Sequence, residues 1–144
     1  MNEEQIALAR RAMACKGWKW LPGMLCIWPN GNEFRVAQVN GIDGYHDLPN
    51  YPAGGWGDEY PDRTTGIPDL TDPATLGCVL ALVREAWGNP HASVWYDSPI
   101  WHHGARWAWH ALDQSRVDYD TEAHALVDAL HYASVHRTVR GGAQ

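Results

Sequence analysis

At 144 residues, with 45% hydrophobic and 19% charged residues, the chain has the size and balance of one globular domain able to bury a core without a metal or a disulfide. Its formal charge of −6 argues against non-specific binding to phosphate backbones, which takes clustered Lys and Arg, and no apolar run approaches the ~18 residues of a membrane span. Cys15, Cys26 and Cys78 form no Cys-x-x-Cys pair and no zinc spacing, and the acidic start Met-Asn-Glu-Glu-Gln-Ile is unlike a secretory signal, so reduced, mostly buried thiols in a cytoplasmic protein are expected.

In chain order, Asn2 followed by Gln5 reads as a capping box, and Ile6, Ala9 and Met13 then recur at helical spacing, which predicts a helix over Glu3 to Lys16 stopped by Gly17. Trp18-Lys-Trp20 alternates as a strand does, Leu25-Cys-Ile-Trp28 resumes after a Leu-Pro-Gly turn, and Glu33 to Val39 follows the Pro29-Asn-Gly-Asn32 turn, giving a small antiparallel meander. From Asn40 to Leu70 the character changes to six glycines, four prolines and scattered aromatics, a long loop that alone carries −5 of the formal charge, from six acids against Arg63. Asp72-Pro73 then starts a helix with Leu76, Val79, Leu80, Val83 and Trp87 on one face, ended by Gly88 and Pro90. Ser93 to Asp97 and Arg106 to Leu112 read as a hairpin, and Arg116 to Tyr119 as a short further strand. Asp120 is expected to cap a last helix with Ala123, Leu126, Val127, Leu130 and Ala133 inward.

The order α-ββ(β)-loop-α-ββ(β)-α predicts an α+β fold: three helices on one antiparallel sheet of four to six strands, as a single domain over residues 1–135, with a frayed tail over 136–144. Among these segments, Ile67-Pro-Asp-Leu-Thr-Asp-Pro-Ala-Thr-Leu-Gly-Cys-Val-Leu-Ala-Leu-Val-Arg-Glu-Ala-Trp87 resembles small phage and prophage accessory proteins. So do Asn2-Glu-Glu-Gln-Ile through Cys15-Lys-Gly-Trp18 and Asp120-Thr-Glu-Ala-His-Ala-Leu-Val-Asp-Ala-Leu130. The plan is similar to the phage ABA-sandwich domain. What the resemblance implies is a setting, a phage gene acting in the cytoplasm of an infected host cell where anti-defence proteins are frequent, and no functional residue.

Two stretches carry candidate chemistry. Trp95 to His110 packs four tryptophans and three histidines into sixteen residues. Strand alternation puts Trp107 and Trp109 on one face and Arg106 and His110 on the other, so an aromatic row left exposed beside His102 and His103 could stack a nucleobase or sugar ring. Trp95, His102, His103, Arg106, Trp107, Trp109 and His110 are the candidate ligand-binding residues. Against this stands the simpler reading, that tryptophans fill a sheet–helix core in a chain whose one phenylalanine is Phe34. In the long loop, Tyr45, Tyr51, Trp56, Asp58, Glu59 and Tyr60 combine rigid aromatics with negative charge, a surface suited to a basic groove on a host protein.

Catalytic motifs are absent: no Gly-x-Ser-x-Gly elbow, no Walker or dinucleotide fingerprint, no His-Glu-x-x-His. The eight histidines are scattered, with His124 and His131 seven apart, and no metal ligand set or cofactor is expected. The reading is a non-catalytic binding protein that interferes with a host defence system, by engaging a host protein or by sequestering a nucleotide-like small molecule, without a membrane role and with homo-oligomerisation open. The alternatives are a small hydrolase with a His/Asp site and a carbohydrate-binding or virion-associated module.

Overall fold

The computed structural model describes residues 2–29, 31–36, 66–97, 106–111 and 114–142. In chain order the elements are α1 (Glu3–Ala14), β1 (Leu25–Ile27), β2 (Glu33–Arg35), β3 (Ile67–Pro68), α2 (Pro73–Trp87), β4 (Ser93–Asp97), β5 (Arg106–Ala111), β6 (Gln114–Tyr119) and α3 (Glu122–Gly142). The fold class is α+β, as the sequence implies, with the three helices in the expected order and one strand, β3, at the end of the expected loop. The strands divide into two antiparallel sheets, β2-β1-β3 and β4-β5-β6, where one was expected, because each strand finds its partners within its own stretch of chain on one side of α2. The chain forms two compact units, residues 1–10 with 20–78 and residues 11–19 with 79–144.

In the first unit the capping box is complete: Gln5 N donates to Asn2 Oδ1 at 2.8 Å and Asn2 N donates to Gln5 Oε1 at 2.9 Å. β1 and β2 form the hairpin, its turn held by Trp28 N donating to Asn32 O at 2.8 Å with Gly31 at φ 88°. The third strand is not Trp18-Lys-Trp20. That stretch leaves α1 through a tight turn in which Trp18 N donates to Cys15 O, and the free edge of β1 is taken instead by Ile67–Pro68, from within the expected loop. Pro68, which has no N–H to give, sits on an edge strand where one is tolerated. Because Ile67 and Pro68 are buried, the long loop ends at least three residues before Leu70.

Asp72 caps α2, its Oδ2 accepting from Thr75 N at 3.0 Å and Thr75 Oγ1 at 2.8 Å. The Arg35 guanidinium grips both carboxylate oxygens, at 2.8 and 3.2 Å, and Thr75 Oγ1 accepts Leu25 N at 2.8 Å, so one fully buried threonine joins sheet to helix. Held by Arg35 foremost, the Asp72 carboxyl is pulled down to about 2.

In the second unit α2 ends at Gly88, φ 64°, with Asn89 N donating to Arg84 O and Gly88 N to Glu85 O, the paired bonds of a Schellman motif. The buried face of this helix is Val79, Leu82, Val83, Ala86 and Trp87, whereas Leu80, expected inside, is only half-buried. Trp87 Nε1 donates to Ala129 O at 2.8 Å, tying α2 to α3. The cap of α3 is Thr121 and not Asp120: Thr121 Oγ1 accepts His124 N at 3.0 Å. Ala123, Leu126, Val127, Leu130 and Ala133 are all buried, as their spacing predicts. The helix continues past Ser134 to Gly142, since nothing from Val135 to Arg140 is a proline or glycine that would break its backbone hydrogen bonds. Among the described residues no helix is long and apolar enough to cross a membrane.

Candidate functional site

The second sheet has two faces of different kinds. β4 and β5 pair without interruption, Ser93 with His110, Val94 with Trp109, Trp95 with Ala108, Tyr96 with Trp107 and Asp97 with Arg106. Between β5 and β6 the register jumps, from Trp107 opposite Tyr119 to Trp109 opposite Arg116, so β6 holds one extra residue. Asp118 absorbs it at φ 81°, a left-handed conformation that marks a bulge. The bulge resets alternation, which lets Arg116 and Tyr119 both turn to the face that carries Trp109.

That face is core. Trp109 is 1% exposed, its ring 5.6 Å from Trp87 and 6.0 Å from Tyr132, and its Nε1 donates to Tyr119 Oη at 3.0 Å. The Arg116 guanidinium lies 3.9 Å over the Tyr132 ring and closes the stack from outside. Tyr96 and Trp107 meet edge to face at 5.3 Å toward the end of the same face, where Trp107 is half-buried and Tyr96 58% exposed.

The opposite face is open among the described residues. Two cross-strand rows lie on it: Trp95 (39% exposed), Ala108 and Val117 (44% exposed), then Ser93, His110 and Ser115, the last two exposed. Ala108 is fully buried between Trp95 and the bulge, which makes the first row a continuous apolar strip. The rows are two residues apart along the strands, about 7 Å.

Of the seven residues the sequence singles out, Trp109 is removed from any binding surface by burial: its partner strand and α3 enclose it. Trp107 shares Trp109's face. Trp95 and His110 remain together on the open face. Arg106 opens β5 opposite Asp97 in backbone register, with its side chain outside the described residues, as are His102 and His103. The loop candidates Tyr45, Tyr51, Trp56, Asp58, Glu59 and Tyr60 also lie outside the described residues. Ser93, Ser115 and Val117 were missed. The hairpin register offers a signal for Ser93, which falls opposite His110 if Trp107 is paired with Tyr96; nothing in the sequence places Ser115 and Val117, because the bulge shifts β6.

A second group, in the buried side of the same unit, was also not foreseen. Asp128, 9% exposed, pairs with Arg11 and lies 3.7 Å from His124 Nε2 one turn earlier on α3. Burial first, and the neighbouring Asp128 carboxylate, raise the Tyr119 phenol, while the Trp109 N–H opposes this. The group joins α1, β6 and α3 around one buried carboxylate held by its ion pair with Arg11, an arrangement that fixes packing. The thiols are unsuited to attack: burial raises Cys15 and Cys78 and pushes Cys26 up to about 12, which leaves each protonated and weakly nucleophilic. Among the described residues, no group of three or more His, Cys, Asp or Glu is placed to hold a metal ion.

Compared with known protein families, curated proteins and solved structures, the chain matches none.

Proposed function

We propose that the protein is a non-catalytic binding protein of the phage accessory kind, which acts on a host component through the open face of its second sheet. The observation that carries this reading is Trp95: a large ring 39% exposed at the centre of a regular strand, flanked on its own face by exposed His110. Scattered exposed apolar residues need no explanation, but a tryptophan continuous with a second exposed apolar side chain, Val117, across a buried alanine forms a strip, and strips of this kind favour contact.

The geometry favours a target met surface to surface. Sequestration of a nucleotide-like molecule needs concave walls that bury most of the ligand, and the rings of Trp95 and of Trp107 with Trp109 stand on opposite faces, so they do not enclose one ligand.

The test is affinity purification from the host of the wild-type chain and Trp95→Ala, each checked for unchanged circular dichroism. A host component retained by the wild type and reduced at least about tenfold by Trp95→Ala is the expected result. Equal retention by both would refute the open face as the binding surface.

A further inference from the structure

We propose that Arg116, His131 and Tyr132 form a second binding site, where β6 meets α3, and that it takes a terminal phosphate group such as that of a phosphate monoester. The site uses no residue of the open face, so it stands or falls apart from the reading above.

The irregularity in β6 is what aims Arg116. With unbroken alternation from Tyr119, Arg116 would stand on the open face; the extra residue at Asp118, φ 81°, turns it to the side of Trp109. A left-handed φ is uncommon for a residue other than glycine, and bulges occur where a side chain has to be re-aimed. On that side the Arg116 guanidinium lies 3.9 Å over the Tyr132 ring, which in turn stands 6.0 Å from buried Trp109. Stacking on a ring packed against the core fixes the plane of the guanidinium and leaves its in-plane N–H donors uncovered. Arg116 is exposed, and among the described residues no carboxylate or carbonyl accepts from it.

Two further donors border the same ring. His131 is exposed and meets Tyr132 edge to face at 5.4 Å. Neither its imidazole nor the Tyr132 hydroxyl has a hydrogen-bond partner among the described residues. An aliphatic side chain would cap Tyr132 without desolvating a charge, so packing alone does not call for this donor set.

The donors select the ligand. A guanidinium with open N–H groups calls for an anionic acceptor. A carboxylate offers two oxygens in one plane, which the guanidinium satisfies by itself. A phosphate monoester offers three terminal oxygens and about −1.5 to −2 charges, enough for the guanidinium, the imidazole and the phenol together. The local charge agrees, although the chain is at −6 overall. Asp128, the only acid of α3 after Glu122, is paired with Arg11, and beyond it the helix sequence holds His131, His136, Arg137 and Arg140. Because the site is exposed, phosphate alone should bind weakly, with a dissociation constant of about a millimolar.

The experiment is two-dimensional NMR of the full chain at constant ionic strength, titrated with inorganic phosphate and AMP, and with acetate and dimethyl phosphate as controls. Phosphate and AMP are expected to shift the Arg116 Nε–H and His131 ring signals; a tighter AMP would show that the organic part is also read, and equal binding that the phosphate alone is. Arg116→Gln should abolish the shifts, and Arg116→Lys, which keeps the charge and loses the planar fork, should weaken binding at least about fivefold. His131→Gln should weaken it several-fold and keeps the test valid if the Arg116 variants disturb the fold, which the Trp109 indole signal reports. Lys19→Gln, which removes a cation paired with Glu85, should change nothing. Acetate or dimethyl phosphate binding as tightly as phosphate would overturn the ligand class, and full affinity in Arg116→Lys would reduce the site to bare charge. No shift at Arg116 with any of the four would overturn the site itself, and would leave the Trp95→Ala purification result untouched.

Discussion

Gly17→Ala gives a direct test of how the second unit is packed. A methyl group built on Gly17 would meet Leu130 Cδ1 at 3.0 Å and Ala86 Cβ at 3.2 Å, against ordinary carbon–carbon contacts of about 3.5–4.0 Å. Neither neighbour can retreat easily: Leu130 is 0% exposed and the Ala86 Cβ is fixed by its own backbone on α2. Overpacking of this kind costs about 1–3 kcal/mol. Opposing it is the loss of chain freedom in the unfolded state, which favours alanine by about 0.4–1 kcal/mol at a position whose backbone tolerates it, and Gly17 does not hold the left-handed φ that would exclude a side chain. Steric cost wins, so Gly17→Ala should destabilise by about 1–2 kcal/mol. Urea unfolding followed by tryptophan fluorescence and circular dichroism measures this, and a double-mutant cycle with Leu130→Ala identifies the cause. Leu130→Ala alone opens a cavity costing about 2–5 kcal/mol, and part of it accepts the added methyl, so the pair should cost about 1 kcal/mol less than the sum. A more stable Gly17→Ala, or strict additivity with Leu130→Ala, would refute the close approach.

Three further outcomes follow from the same geometry. Asp72 is held near 2, below its ordinary 3.8, so its contribution to stability is fully present above about pH 4 and lost as the pH falls through 2; Asp72→Asn should lower stability at neutral pH and flatten this part of an acid titration. Trp109→Phe removes the donor to Tyr119 Oη and some ring volume, and should cost about 1–3 kcal/mol in chemical denaturation; a loss under 0.5 kcal/mol, on the order of an ordinary surface change, would contradict its place in the core. Trp95→Ala should change stability by less than about 1 kcal/mol in the same assay, and a loss as large as that of a buried tryptophan, about 3–5 kcal/mol, would show that the open face is covered.

The local signals were legible wherever one residue type satisfies a local need. Asn2 with Gln5, Asp72 with Pro73, and Gly88 each mark a helix end because unpaired backbone groups there require a particular partner or a particular φ, and the inner face of α3 follows from a 3.6-residue period alone. Alternation along β5 likewise separates Trp109 from His110 without any knowledge of the fold. Which of the two faces is covered is not a local matter: it depends on α3 packing over one side of the sheet, and each face offers a tryptophan, Trp109 on one and Trp95 on the other.

The same division holds for the strands and the site. Sequence by itself determined an α+β chain with helices at three places, since capping and periodicity act within a few residues. Tertiary structure decided that Ile67–Pro68 and not Trp18–Trp20 completes the first sheet, because an edge of hydrogen-bonding groups accepts whichever segment also buries its side chains. It also decided that one bulge at Asp118 brings Ser115 beside His110 and Arg116 over Tyr132. Pairing across strands joins residues far apart in the chain, and a shift of one residue exchanges the two faces, so the candidate surface exists only once the register is set.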